Sequence, residues 1–163
     1  MKFLNLSLLA MLTLSSYAFA LSSDSEQPVY IDSDSQQLDL KSNRVTFVGN
    51  VALTQGSIKI KADKVIVLRN PKTGNIDQIE SFGELATFSQ KTDDGKNLYG
   101  EARTLTYQMS KDQLTMKDKA MLSQEDSIIR SSVIRYKISE QTLVADGNQK
   151  QRVSTVIQPK SSN

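Results

Sequence analysis

Among the 18 acidic residues of this chain are four close pairs: Asp24 and Glu26, Asp32 and Asp34, Asp93 and Asp94, Glu125 and Asp126. Two carboxylates converging in a cleft can share a proton or flank a glycosidic bond, as in aspartic proteases and glycosidases. The local sequence argues against that use. Asp93 and Asp94 sit beside Gly95 in a turn-forming stretch, and Asp32 and Asp34 share one face of a strand at an edge, so both pairs read as solvated charges. The 163 residues include no His and no Cys. That removes imidazole general bases, Ser-His-Asp triads, thiol nucleophiles and the usual zinc ligand sets. The glycines are scattered singly, so neither a P-loop nor a G-x-G-x-x-G turn occurs. The composition therefore points away from an enzyme, and no metal or cofactor is expected.

The elements around these residues are strands. Apolar and polar residues alternate through Val29-Tyr30-Ile31, Val45-Thr46-Phe47, Val51-Ala52-Leu53, Ile58-Lys59-Ile60 and Val65-Ile66-Val67. The alternation returns at Ala86-Thr87-Phe88, Leu105 to Met109, Leu114-Thr115-Met116, Ile134 to Ile138 and Val153 to Ile157. Period-2 runs broken by turn residues every ten or so positions predict an all-β sandwich or barrel with little helix. The breaks carry turn chemistry: Lys41 to Arg44, Asn70 to Asn75, Thr92 to Lys96 and Ser139 to Gln141.

A weak internal repeat underlies the alternation. Leu53-Thr54-Gln55 and Ile60-Lys61 recur, 69 positions later, as Leu122-Ser123-Gln124 and Ile129-Arg130, and Val65 and Ile134 continue the register. Gly49, Gly83, Asp118 and Gly147 mark corresponding points of successive units, which read as strand, turn, strand, kink, strand. Units of this size suggest hairpins that cannot close a core alone and stack to make one. A Gly-Asn step inside a strand can adopt positive φ or a bulge, so the strand bends and continues. Alternation resumes directly after Asn50, which favours a bend there over a hairpin turn.

The ends and the charge bound the setting. Lys2, the apolar run from Phe3 to Leu14 and Ala18-Phe19-Ala20 describe a secretory signal peptide over residues 1–20, with cleavage before Leu21. One domain is expected over residues 21–159, followed by a disordered tail at 160–163. The full chain carries 20 basic and 18 acidic residues, and Lys2 leaves with the leader. A near-neutral balance with scattered basic residues gives no pull towards nucleic acid. An exported chain without cysteine relies on its buried core alone.

Ile31-Asp32-Ser33-Asp34, Phe47-Val48-Gly49-Asn50-Val51, Thr54-Gln55-Gly56 and Ala62-Asp63-Lys64-Val65 resemble, in order and spacing, the signature run of the OstA-like domain family of Gram-negative lipopolysaccharide transport. Ala86-Thr87-Phe88, Leu105-Thr106-Tyr107 and Arg152 to Val156 extend the resemblance over residues 27 to 158. It implies a twisted, open β-jellyroll, V-shaped, whose two sheets enclose a hydrophobic groove. It also implies a periplasmic protein whose copies stack head to tail into a bridge. Such a bridge takes lipopolysaccharide from an inner-membrane exporter and its bitopic partner to the periplasmic domain of the outer-membrane translocon, assisting outer-membrane assembly. Ser131-Ser132-Val133 replaces Ala62-Asp63-Lys64, and Asp118-Lys119 replaces a Gly-Asn, so the C-terminal half departs from the pattern.

By the same resemblance, the positions of Val29, Ile31, Phe88, Tyr107 and Met109 line the groove that receives acyl chains. Parity agrees, because Val29 and Ile31 fall on one strand face, as do Tyr107 and Met109. Met and Tyr suit a fluid acyl surface. Assembly has its own candidates. An unclosed sheet leaves a strand with unpaired backbone groups at each end: Val29-Tyr30-Ile31, and Arg152 to Ile157 with Val153, Thr155, Val156 and Ile157. Two unlike ends that pair grow open filaments rather than closed dimers. The competing reading is a structural periplasmic β-scaffold with a dry, packed core.

Overall fold

The computed structural model describes residues 24–158. The expected leader at 1–20 and tail at 160–163 lie outside the described residues. After a 3-10 turn at Asp24–Glu26 come ten strands: β1 (Val29–Asp32), β2 (Ser35–Asp39), β3 (Arg44–Gln55), β4 (Ile58–Arg69), β5 (Ile76–Lys91), β6 (Asn97–Gln108), β7 (Gln113–Gln124), β8 (Ser127–Lys137), β9 (Thr142–Asp146) and β10 (Ser154–Val156). They form one antiparallel sheet in the order β1-β3-β4-β5-β6-β7-β8-β10, with β2 also pairing β3 and β9 also pairing β8. The ends do not meet, so the all-β, open architecture expected from the sequence is the one observed.

Each long strand is bent near its middle. Register shifts fall between Val48 and Val51, Lys61 and Lys64, Phe82 and Ala86, Glu101 and Thr104, and Lys117 and Ala120, along a single line across the sheet, and the β4–β5 ladder has a second shift at its end, between Leu68 and Arg69. That line divides the sheet into two arms. One arm ends in β2 and β9, the other in β1 and β10. The residues lining the crease on the inside are small, with Ala86, Ala102, Ala120 and Ser131 all buried. Val51, buried at the same line on β3, is the larger exception.

The arms face each other. In the plane of a sheet, β5 and β8 are separated by β6 and β7, about 14 Å at about 4.8 Å per strand. Yet the Phe88 and Tyr136 rings, on β5 and β8, meet edge to face with centroids 6.2 Å apart. Gly100 of one arm lies under Met116 of the other, where a Cβ would come within 2.8 Å of the Met116 sulfur. The sheet therefore doubles back, and its inner face is the core. One inner row runs Val67, Ile79, Tyr107, Leu114, Tyr136 across the first arm, and another runs Leu53, Ile60, Phe88, Gly100, Leu122 across the second.

The bend expected at Gly49 is present. β3 continues through Gly49 and Asn50, whose φ angles are 84° and 46°. Asp34 explains the glycine: its carboxylate accepts a hydrogen bond from Asn50 Nδ2 (2.8 Å) and occupies the space a Gly49 side chain would need. The repeat is also structural. Asn43 and Asp112, Gly49 and Asp118, Asn50 and Lys119, and Gly56 and Glu125, each 69 apart, all have positive φ.

Four expectations need correction. Met109 opens a 3-10 turn at Met109–Lys111 after β6, because the chain must reverse into β7 there. Gly147 is not a mid-strand kink: β9 stops at Asp146, and Asn148 organises a turn by accepting from the Lys150 and Gln151 amides (2.8 Å each). Asp32 and Asp34 do not share a strand, since β1 ends at Asp32 and Asp34 sits in the link to β2. The last strand is confined to Ser154–Val156, so Val153 and Ile157 flank it.

Candidate functional site

The inner face of β1 is the place where the core is incomplete. Val29 and Ile31 are half-buried on one face of β1, while Tyr30 between them is 64% exposed. They line a cavity of about 330 Å³ together with Gln36, Val45, Phe47, Val67, Arg69 and Ile76. β1 belongs to one arm and β2 to the other, so this cavity is the gap left where the arms separate at the first edge. Parity identifies most of its wall in the sequence: Val45 and Phe47 alternate on β3, and Val67 and Arg69 on β4. Arg69 went unread because a charged residue ending an apolar run looks like a strand boundary.

The other groove candidates lie deeper. Phe88 and Tyr107 are each 1% exposed, Phe88 in the row with Leu53 and Ile60, and Tyr107 in the row with Ile79 and Leu114. Met109 is half-buried and packs on the same core cluster, as do Val29 and Ile31. The five residues thus touch one continuous apolar interior without forming one local site.

Polar groups close the interior at the arm tips. Tyr136 OH donates to Gln90 Oε1 (3.1 Å), and Gln90 Nε2 donates to Asp24 Oδ2 (3.1 Å). Asp24 also accepts from the Ser57 amide (2.6 Å) and the Ser57 hydroxyl (2.7 Å), which fastens the N-terminal turn over the β3–β4 hairpin. Gln55 Nε2 reinforces it by donating to the Ser25 and Gln27 carbonyls, 3.0 Å each. Tyr107 OH donates to Asp112 Oδ1 (3.4 Å). Burial, and then nearby carboxylates, push both phenols up, that of Tyr136 to about 12.

Of the other acidic pairs, Asp94 and Glu125 have partners that hold the loops they sit in. Asp94 accepts from Thr92 Oγ1 (2.5 Å) and pairs with Lys96, which also reaches Glu125 (3.4 Å). The hydrogen bond from the Thr92 hydroxyl, helped by Lys96, holds the Asp94 carboxyl below its ordinary range. Among the described residues no group of three His, Cys, Asp or Glu side chains is placed to hold a metal. No helix among them is long and apolar enough to cross a membrane.

Residues 30–142, most of the chain, match the family described as LptA/(LptD N-terminal domain) LPS transport protein. The chain belongs to this family. Among curated members of this LptA family, the lipopolysaccharide export system protein LptA of Haemophilus influenzae is 46% identical over 153 residues, covering 93% of this chain and 89% of that protein. The Escherichia coli K12 protein of the same name is 43% identical over 142 residues, 87% of this chain and 77% of that one. Among solved structures, the crystal structure of LptH, the LptA-homologous periplasmic component of the lipopolysaccharide transport device of Pseudomonas aeruginosa, superposes with a TM-score of 0.77 at 28% identity. It covers 84% of this chain and 99% of LptH. The open jellyroll is therefore shared with an LptA-family structure, as the residues from Ile31 to Val65 implied.

The free edges are the second feature. β1 pairs only with β3 and β10 only with β8, so each has one unpaired side among the described residues. Most of the exposed large hydrophobic side chains lie there, with Val48, Leu85 and Tyr99 elsewhere on the sheet. Tyr30, Leu38 and Leu40 lie at the first edge, and Leu143, Val144, Val153, Val156 and Ile157 lie at the last. Thr155, at the centre of β10, pairs with Ile129.

Proposed function

We propose that this chain is a periplasmic carrier that binds the acyl chains of lipopolysaccharide in its apolar interior and passes the lipid from the inner to the outer membrane, without catalysis. The observation that carries this reading is the apolar cavity at the first edge, which continues the core between the arms and is bordered by an unpaired strand. Each buried methylene contributes about 0.8 kcal/mol, so ten of them supply about 8 kcal/mol, micromolar binding before ordering costs. Holding of that strength is reversible, as a carrier requires. Head-to-tail pairing of β10 of one copy with β1 of the next would align successive interiors into one path, by the strand addition that sheet edges favour. An inner-membrane bitopic export partner at one end, and the periplasmic domain of the outer-membrane translocon at the other, would use the same two edges. Val29, Ile31, Phe88, Tyr107 and Met109 would form the lipid path.

A structural scaffold is the competing reading, and one observation favours it: Phe88 and Tyr107 are as buried as any core residue. Photocrosslinking in living cells separates the two. A photoreactive residue at Ile31 or Phe88 is expected to yield an adduct that reacts with anti-lipopolysaccharide antibody. Protein–protein adducts alone, with no lipid recovered on the purified protein, would establish the scaffold instead.

A further inference from the structure

The cavity at the first edge has a cation fixed at its rim. Arg69 ends β4 on the same face as the buried Val65 and Val67, so its side chain starts towards the interior. Its backbone is held by donation from its amide to Asn43 O (3.0 Å). Its Nε donates to Gly74 O (2.9 Å), in the hairpin closed by the Gly74 amide on Asn70 O and the Asn70 amide on Asn75 O, 2.8 Å each. That orients the guanidinium, and among the described residues no hydrogen bond takes its terminal nitrogens. The ion pairs among the described residues use Lys96, Arg103 and Arg135, and none uses Arg69. Asp77 is the extra residue of an irregularity in the β4–β5 ladder, between Gln78, which pairs with Leu68, and Ile76, which pairs with Arg69, and it forms no ion pair with Arg69.

We propose that Arg69 binds the phosphate of the amphiphile whose chain enters this cavity, an inference that rests on the lipid-carrier reading above. An apolar pocket with one oriented, unpaired guanidinium at its lip matches a molecule that joins alkyl chain to anion. The planar fork of arginine takes two phosphate oxygens at once, which an ammonium does not. Val29, Ile31, Phe47 and Val67 hold the chain, and Arg69 fixes how far it enters by stopping the headgroup at the arm tip. Arg69 is thereby a specificity-determining residue. It distinguishes phosphorylated from unphosphorylated lipid and sets which end of the lipid leads.

The test uses the exported chain, stripped of co-purified lipid, and three probes: lipid A bearing both phosphates, the same lipid with its phosphates removed, and inorganic phosphate. Wild-type protein is expected to bind the phosphorylated lipid about tenfold more tightly than the dephosphorylated one, the scale of one charge-assisted fork at a partly exposed site. Arg69→Gln should abolish that ratio and leave the dephosphorylated lipid within about twofold, with Arg69→Lys intermediate. The wild-type ratio needs no variant, so a misfolded substitution cannot rescue the idea. Equal wild-type affinity for the two lipids overturns the role of Arg69 while leaving the carrier standing. So does an Arg69→Gln loss that is the same for both lipids, which would make Arg69 a pin for the hairpin. Inorganic phosphate binding as tightly as the phosphorylated lipid overturns it in favour of a free-anion site. Failure of wild type to bind either lipid overturns the carrier reading itself.

Discussion

Replacing Phe88 with Ala removes a ring that is 1% exposed, lies between Ile60 and Gly100 in its row, and meets Tyr136 edge to face across the interior. Truncating a buried Phe costs about 3–5 kcal/mol, part of it from the cavity left behind, and the aromatic pair accounts for about 1 kcal/mol of that. Met116, whose sulfur already lies over Gly100, is the flexible side chain able to swing into the space. The loss is therefore expected at the lower end, about 3 kcal/mol. In a domain of this size that lowers Tm by about 10 °C. Urea denaturation measures it directly. If the vacated volume belongs to the lipid path, added lipopolysaccharide should raise the midpoint of the variant more than that of wild type, because acyl carbon refills it. A loss under about 1 kcal/mol would refute the packing argument, and equal lipid-induced shifts would take Phe88 off the path. Phe88→Asp is the wrong instrument. An unpaired carboxylate here costs on the order of the 5–15 kcal/mol that holds a whole domain, so folding fails before transport can be read.

Two further outcomes follow from the arm tips and the edges. The folded-state pKa of Tyr136 lies above its unfolded value near 10, at about 12, so its contribution is complete below pH 10 and is lost as pH rises from 10 to 12, on the order of 2–3 kcal/mol. Tyr136→Phe should show a shallower alkaline fall in urea midpoint, at the cost of about 1 kcal/mol at neutral pH for the lost hydrogen bond to Gln90; an unchanged alkaline slope would assign the titration elsewhere. At the last edge, deletion of residues 152–163, or Thr155→Pro if that N–H faces the partner strand, should shorten concentration-dependent oligomers in sedimentation. A truncation that oligomerises as before would place assembly away from β10.

How much of this was legible in the sequence depended on burial. Strands packed on one face, such as β3, β4 and β7, announced themselves by alternation. β2 and β9 did not, because Ser35–Asp39 is exposed at every position and Thr142–Asp146 nearly so, and an edge with no buried face has no period. The 69-residue repeat was visible in the matching runs Leu53 to Val65 and Leu122 to Ile134, but not in the backbone of its second half. There positive φ falls on Asp112, Asp118, Lys119 and Glu125; aspartate tolerates that conformation, but Lys119 and Glu125 are types that do not advertise it. Parity placed Val29, Ile31, Phe88 and Tyr107 facing inward, but inward facing does not say whether the opposite wall is near. That distance is set by the second arm, which returns from the crease tens of residues later.

The same geometry shows how a packed interior can also be a path. Within each arm, neighbouring strands are joined by backbone ladders, and the extensive contacts between elements run along those ladders. Across the gap, the arms meet through side chains: Phe88 on Tyr136, Met116 over Gly100, and Tyr136 to Gln90. Separating the arms at the crease exchanges these side-chain contacts for contacts with whatever enters and breaks no ladder bond. The apolar surface exposed by that movement is costly in water and recovered against acyl carbon. On the carrier reading, a lipid would supply the free energy for its own accommodation, and the small residues along the crease, Ala86, Ala102, Ala120 and Ser131, would leave the bend line unobstructed were it to widen.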